Sequence, residues 1–440
     1  MYSNSNWEIS SLELWDDKIC QIAEDYNLDW FPIRYEICDY YEMIGHMSYG
    51  GMPSHYHHWS YGKTFERIHQ FYNLGLEGLP YELIINSNPS IAYLMRENPL
   101  FLQVLIMAHC VGHSDFFKNN RIFKDTGPET IVSSFRNARN RVKGYIEDPS
   151  IGIEKVEDFF DAVHTIKYQT ERYGNKRVSY EDLKDRKIEN INLSKQKGED
   201  LDSFDLKKVP LEDDYDLLGF FIEHGTHFED WQQDILEIIR NESQYFIPQI
   251  RTKILNEGWA SFWHYKIMHD LDLPQGLHIP FLKTHNQVIR PHIGKVNPYH
   301  LGFHIFNKIN NEKGLEECFL IRETHDDESA IRCYLDREDC EELNLFSFSK
   351  RKEKTVVDDV SDETGWKKVK EELIKNTGTN GIPTVFVKDL DSSGVLTIQH
   401  DHEGRDLELD YADRVVESIS RIWPKKVKFL TIIEEEIWEI

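Results

Sequence analysis

The 440-residue sequence has no excess of positive charge: 51 Lys and Arg stand against 77 Asp and Glu, a formal net charge of −26. A surface of that sign repels phosphate backbones and anionic lipid headgroups. There is no basic patch with interleaved aromatics and no convincing helix-turn-helix composition. DNA, RNA and bare membrane are therefore poor partners. A Walker loop and a dinucleotide fingerprint are missing as well. Cysteine is sparse, with six residues and no C-x-x-C pair. Such a scatter fits a reducing compartment better than a disulfide framework. The first residues, MYSNSNWEISSLELWDDK, offer neither a basic n-region nor an apolar h-region, so no secretory signal is expected. The apolar runs, such as the one over residues 102–108, fall short of a membrane span. We expect a cytoplasmic chain without membrane insertion. No internal repeat recurs at a fixed period.

What is present suits a folded protein of two or three domains. Apolar residues make up 40%, and the 24 Phe, 21 Tyr and 10 Trp can build compact cores and ligand walls. The spacing predicts helices over about 7–28, 90–98, 100–118, 215–223, 229–240 and 250–270, and a strand over 81–86. Residues 35–62, with their Gly and His, read as an unusual loop or short hairpin. Residues 278–302, rich in His, Pro, Gly and Asn, read as a loop with function or tight packing. A polar insertion is expected at about 174–213. Beyond a charged stretch at 347–364, a helix at 366–375, strands at 384–388 and 395–400, a helix at 408–422 and a strand at 427–432 predict a small α+β domain. The expected fold class is therefore α+β and mainly helical. Residues 1–310 form a helical core with a short sheet, and residues 311–440 a small α+β domain.

The chemistry-bearing residues are His and Glu. HCVGH places His109 and His113 four apart on one helix face, separated by about 40°. Such a pair can give one metal two nitrogen ligands, as in the H-E-x-x-H helix of zinc peptidases. Here the usual Glu after the first His is Cys110, so the usual general base is missing. Structural pairs with this spacing are also common. In NEGWASFWHY, Glu257 and His264 are seven apart and share a face flanked by Trp259 and Trp263. Glu257 either completes a two-His-one-Glu metal site or makes local hydrogen bonds. Glu223-His224, followed by Glu229, Asp230 and Asp234, either orients ligands or is a polar face. The five histidines from His46 to His69 either bind a metal or an anion, or pack within a loop.

GMPSHYHHWSYGKTFERI, YELIINSNPSIAYLMREN, MAHCVGHSDFFKNN, WQQDILEIIRNESQYFIPQIRTKILNEGWASFWHY and NPYHLGF occur in this order. Together they resemble the stage V sporulation protein R (SpoVR) family, densely over residues 10–305. The resemblance implies a role in the peptidoglycan cortex of bacterial endospores. It also implies relatives in bacteria that make no spores, so the biochemistry need not be specific to spores. Two functions remain open. In one, the N-terminal region is zincin-like and the protein is a zinc-dependent amide hydrolase acting on cell-wall precursor peptides. His109, His113 and Glu257 would hold the metal, Glu223 or Glu242 would act as base, and His224 or His264 would stabilise the oxyanion. In the other, the His/Glu network is a buried polar lattice and the chain is a non-catalytic factor that docks a cortex-assembly protein.

Overall fold

The structure, a computed structural model, describes residues 7–73, 82–172, 215–292, 295–351, 354–391, 393–433 and 436–440. The expected insertion at 174–213 and position 81 lie outside the described residues. In chain order the elements are α1 (Ile9–Asp25), β1 (Ile33–Cys38), α2 (Tyr40–Ser48), α3 (Trp59–Asn73), β2 (Leu83–Ile85), β3 (Ser90–Met95), α4 (Leu100–Asn119), α5 (Ile131–Glu147) and α6 (Gly152–His164). Then follow α7 (Leu217–His224), α8 (Asp230–Arg251), α9 (Lys253–Asp270), α10 (Gln275–Val288), α11 (Pro298–Lys313), α12 (Leu315–Thr324), α13 (Asp327–Tyr334) and α14 (Arg337–Glu342). The remainder is β4 (Phe346–Arg351), β5 (Lys354–Val360), α15 (Trp366–Lys375), β6 (Thr384–Leu390), β7 (Leu396–Asp401), α16 (Leu409–Ile422), β8 (Val427–Ile433) and β9 (Glu436–Glu439). The fold is α+β and mainly helical, as its periodicity predicts.

The chain divides into two compact units, one of residues 1–140 and 248–381, the other of residues 141–247 and 382–440. The expected cut after residue 310 falls inside α11, in the first unit.

The first unit is built around α4, whose residues from Leu102 to Phe117 are all buried. A helix apolar all round belongs at the centre of a core. By length and composition α4 could cross a membrane, but here it is 89% buried inside the protein. α1 covers it with a stripe of Leu12, Trp15, Ile19 and Ala23. A three-stranded sheet of order β1-β3-β2 lies beside it, with β1–β3 parallel and β2–β3 antiparallel. This corrects the helix expected at 90–98. The run Ser90–Met95 is almost wholly buried, and a central strand covered on both faces reads as a continuous apolar run without alternation. Two loop expectations are corrected as well. Residues 35–62 contain most of β1, the start of α3 and the whole of α2. Asp39 and Glu42 start α2 with a capping box, each side chain accepting from the other's backbone N–H at 2.9 Å. Residues 278–302 contain most of α10 and the start of α11, where Pro298 takes the first helical turn. A proline there lacks only a donor that the helix could not use.

Two close approaches bring the site's helices together. A Cβ on Gly112 of α4 would lie 2.7 Å from the Cα of Ala260 on α9, and one on Gly302 of α11 would lie 2.1 Å from the Ile254 carbonyl oxygen of α9. The start of α9 is fixed by the buried Asp327, whose carboxylate accepts from the N–H groups of Ile254 and Leu255, both at 2.8 Å. Those donors have no partner within the helix, and satisfying them sets the position of the next turn, which carries Glu257.

The second unit carries a four-stranded sheet of order β6-β7-β8-β9. The β7–β8 pair is parallel and the outer pairs are antiparallel. The strand, hairpin, strand, helix, strand succession expected near the C-terminus is present, with β9 added at the edge. The buried Arg172 donates to the carbonyls of Ile382 and Pro383 as the chain enters β6.

Candidate metal centre

Four side chains from three elements of the first unit meet at one point. Glu82 stands immediately before β2, His109 and His113 face out of α4, and Glu257 comes from the first turns of α9. One nitrogen or carboxylate oxygen from each lies within 4.8 Å of all the others. His109 Nε2 is 3.6 Å from Glu82 Oε1 and 3.6 Å from Glu257 Oε2, and His113 Nε2 is 3.4 Å from Glu257 Oε2. His109 Nε2 and Glu257 Oε2 are buried and have no hydrogen-bond partner. Orphaned buried polar atoms are costly, and these two aim at the same point. Two imidazole nitrogens with carboxylate oxygens form a donor set that suits a divalent metal ion. The four residues can therefore hold one.

The far nitrogens of both histidines are engaged. His113 Nδ1 lies 2.8 Å from Asn256 Oδ1, an acceptor, so it donates its proton there and presents Nε2 to the cluster. His109 Nδ1 lies 2.8 Å from His264 Nδ1, and His264 Nε2 lies 2.7 Å from His285 Nδ1. A lone pair on His109 Nε2 makes its Nδ1–H the donor to His264, and His264 then donates onward through Nε2–H to His285. Burial, reinforced by charge on His109 and His285, pushes His264 well below the ordinary histidine range. Burial, followed by His269 and His109, pulls His285 down to about 4. His264 and His285 thus favour their neutral forms, and the proton order runs from the cluster outward.

Glu257 and His113 support each other's charged forms. Burial alone would raise Glu257, but the facing His109 and His113 outweigh it and hold the carboxyl below its usual range. Burial would lower His113, but Glu257 outweighs it and His113 is raised. Tyr299 of α11 donates its O–H to Glu82 Oε1 at 3.2 Å and stacks on the His109 ring. Burial, then the charges of Glu257 and Glu82, keep its phenol well above the usual range, so it stays a donor.

His109, His113, Glu257 and His264 are brought together as the sequence suggested. His264 takes a place behind His109, where both of its ring nitrogens are occupied, so it orients the His109 ring. It is not positioned to receive an oxyanion. Glu223 and His224 end α7, and Glu242 lies on α8, all in the second unit, whereas the cluster lies wholly in the first. Cys110 is fully buried, and burial, then Glu82 and Asp16, push its thiol well above the ordinary value. It is inert packing. Of the early histidines, His55 packs among Tyr56 and Tyr61, His58 bonds Ser60, and His46 stacks on Tyr93 at 3.9 Å. Sequence reasoning missed Glu82, Asn256, His285 and Tyr299. Three of them sit in the quoted words YELIIN, NEGWASFWHY and NPYHLGF, and His285 lies in the stretch expected as a functional loop.

Comparison with known proteins agrees with the motifs. The family described as SpoVR like protein matches residues 6–382. The protein named "Uncharacterized protein YcgB" of Escherichia coli (strain K12) is 36% identical over 329 residues, which is 69% of this chain and 64% of that relative. The chain thus spans somewhat less than two thirds of the relative's length. No solved structure matches.

Proposed function

This chain belongs to the SpoVR family, and from that membership and the buried cluster we propose that it is a zinc-dependent amide hydrolase acting on cell-wall peptides during spore cortex formation. The observation that carries the reading is the convergence of His109, His113 and Glu257 on one point, with two orphaned ligand atoms facing it. His109, His113 and Glu257 hold the ion. Asn256 and His264 fix the two imidazoles in the tautomer that ligation requires. A zinc ion at such a site supplies a water acidified toward neutral pH and a Lewis acid for an amide carbonyl. Tyr299, kept protonated beside the cluster, is placed to donate to an oxygen that gains negative charge. Variants of Glu223, Glu242 and His224, which the sequence offers as base and oxyanion donor, are expected to keep the metal and lose turnover. The spore role rests on the family, and the amide chemistry rests on the ligand set. The unpaired cysteines support a reducing, cytoplasmic setting, so the substrate is a cell-wall precursor peptide.

The test is elemental analysis of untagged protein beside His109→Ala and Glu257→Ala, followed by hydrolysis of peptidoglycan amides by the loaded protein. The reading expects one zinc per wild-type chain, lost in both variants while they remain folded. A folded wild type that holds no metal and takes none up when zinc is offered removes the hydrolase and leaves a non-catalytic cortex-assembly factor.

A further inference from the structure

Glu82 enters the cluster from its own element, the approach to β2. Its Oε1 is as far from His109 Nε2 as Glu257 Oε2 is, 3.6 Å in each case. Donor atoms bound to one ion at about 2.0–2.2 Å in a tetrahedron stand about 3.4 Å apart. Three histidine–carboxylate separations, 3.4–3.6 Å, are close to that edge length, and all four donor atoms lie within 4.8 Å of one another. The three separations are too long for good hydrogen bonds. Glu82 therefore stands at ligand separation from a buried nitrogen that makes no hydrogen bond.

We infer that Glu82 is a fourth protein ligand, so that the resting centre is a closed site of two histidines and two carboxylates, and that Tyr299 is the positioning residue that holds Glu82 on it. This deepens the metal-hydrolase reading and rests on it. Two carboxylates balance the two charges of a divalent cation, whereas Glu257 alone would leave a net positive charge in a buried site. The Tyr299 O–H occupies one lone pair of Glu82 Oε1 and leaves another for the ion. With nitrogen and oxygen donors and no thiolate, the site suits a divalent first-row ion rather than a soft monovalent one. A site with four protein ligands has no open position for water. On the hydrolase reading, Glu82 would have to give up its place before a water could be held by the ion. Tyr299 then sets how readily the carboxylate lets go.

The experiment is titration of the metal-stripped full chain with zinc against a chelating competitor, and with cobalt(II) as a spectroscopic probe. The proteins are wild type, Glu82→Gln, Glu82→Asp, Tyr299→Phe and Glu257→Gln. The inference expects one ion per wild-type chain. It expects a loss of affinity of about 100-fold in Glu82→Gln, at least about 10-fold in Glu82→Asp, and about 10-fold in Tyr299→Phe, in the range that supporting contacts of metal sites contribute. The visible cobalt band should change shape in Glu82→Gln. Glu82→Asp keeps the charge and withdraws the oxygen, so it separates ligation from simple attraction, and the thermal midpoint of each metal-free variant reports folding. Unchanged zinc affinity and cobalt spectrum in Glu82→Gln, with loss in Glu257→Gln, overturns the fourth ligand and leaves the three-ligand centre standing. A wild type that binds no ion overturns both.

Discussion

His264 stands directly behind His109, Nδ1 to Nδ1 at 2.8 Å, with its other nitrogen 2.7 Å from His285. Two histidines meeting through the same atom type must share one proton, so His109 has a fixed tautomer only while His264 accepts. His264→Leu should lower zinc affinity by about 10–100-fold. His264→Asn, whose carbonyl oxygen can accept the same proton, should recover part of that loss. Competition titration checks both, and equal affinity in the two variants would show that the ring of His264 merely fills space.

The same chain predicts a direction of acid sensitivity. An unfolded histidine titrates near 6.5, whereas His285 in the fold is pulled down to about 4 and His264 lies well below its ordinary value. A depressed histidine adds stability that is complete above pH 6.5 and is lost as pH falls toward the folded value. For His285 this amounts to at most about 3 kcal/mol. The thermal midpoint of the metal-free protein should drop between pH 6.5 and 4, and His285→Gln should flatten that slope.

Gly112→Ala should destabilise the protein by about 1–3 kcal/mol, although Ala in a helix interior is ordinarily preferred over Gly by about 1 kcal/mol. The new methyl would lie 2.7 Å from the Cα of Ala260, and backbone cannot turn aside as a side chain can. Pushing α9 from α4 also separates Glu257 from the two histidines. Denaturant unfolding should therefore show the loss, and zinc affinity should fall with it.

Thiol labelling tests the inert reading of Cys110. Only Cys333 is exposed, and Cys20 is half-buried with burial, then Asp16, pushing it up to about 12. Iodoacetamide at pH 8 should add one label to the folded chain, at Cys333, as peptide mass spectrometry would report. Prompt modification of Cys110 would return it to the list of chemical groups.

The parts of the site that were legible are those written in local spacing. His109 and His113 share a face because they are four apart on an apolar run, and Glu257 and His264 because they are seven apart on another. Glu82 carries no such mark, since one acidic residue before a three-residue strand has no period to belong to. His285 and Tyr299 were hidden by composition. The prolines and glycines of residues 278–302 suggest a loop, yet Pro280 is carried inside α10 and Pro298 starts α11. β3 was misread because Ala92, Tyr93, Leu94 and Met95 are all buried, and burial on both faces erases the alternation that marks a strand. The division into units was not legible because it depends on pairing residues 1–140 with 248–381, which no local pattern encodes.

That discontinuity has a consequence for synthesis on the ribosome. Residues 141–247, which belong to the other unit, must be translated after the two-histidine helix and before Glu257. At the usual 5–20 residues per second this takes roughly 5–20 s. During that interval the nascent chain offers Glu82, His109 and His113 but lacks Glu257, Asn256 and the histidines behind His109. If the cluster takes up a metal, loading would mark a chain whose translation has passed α9, and a truncated product ending in the intervening segment would be made without Glu257.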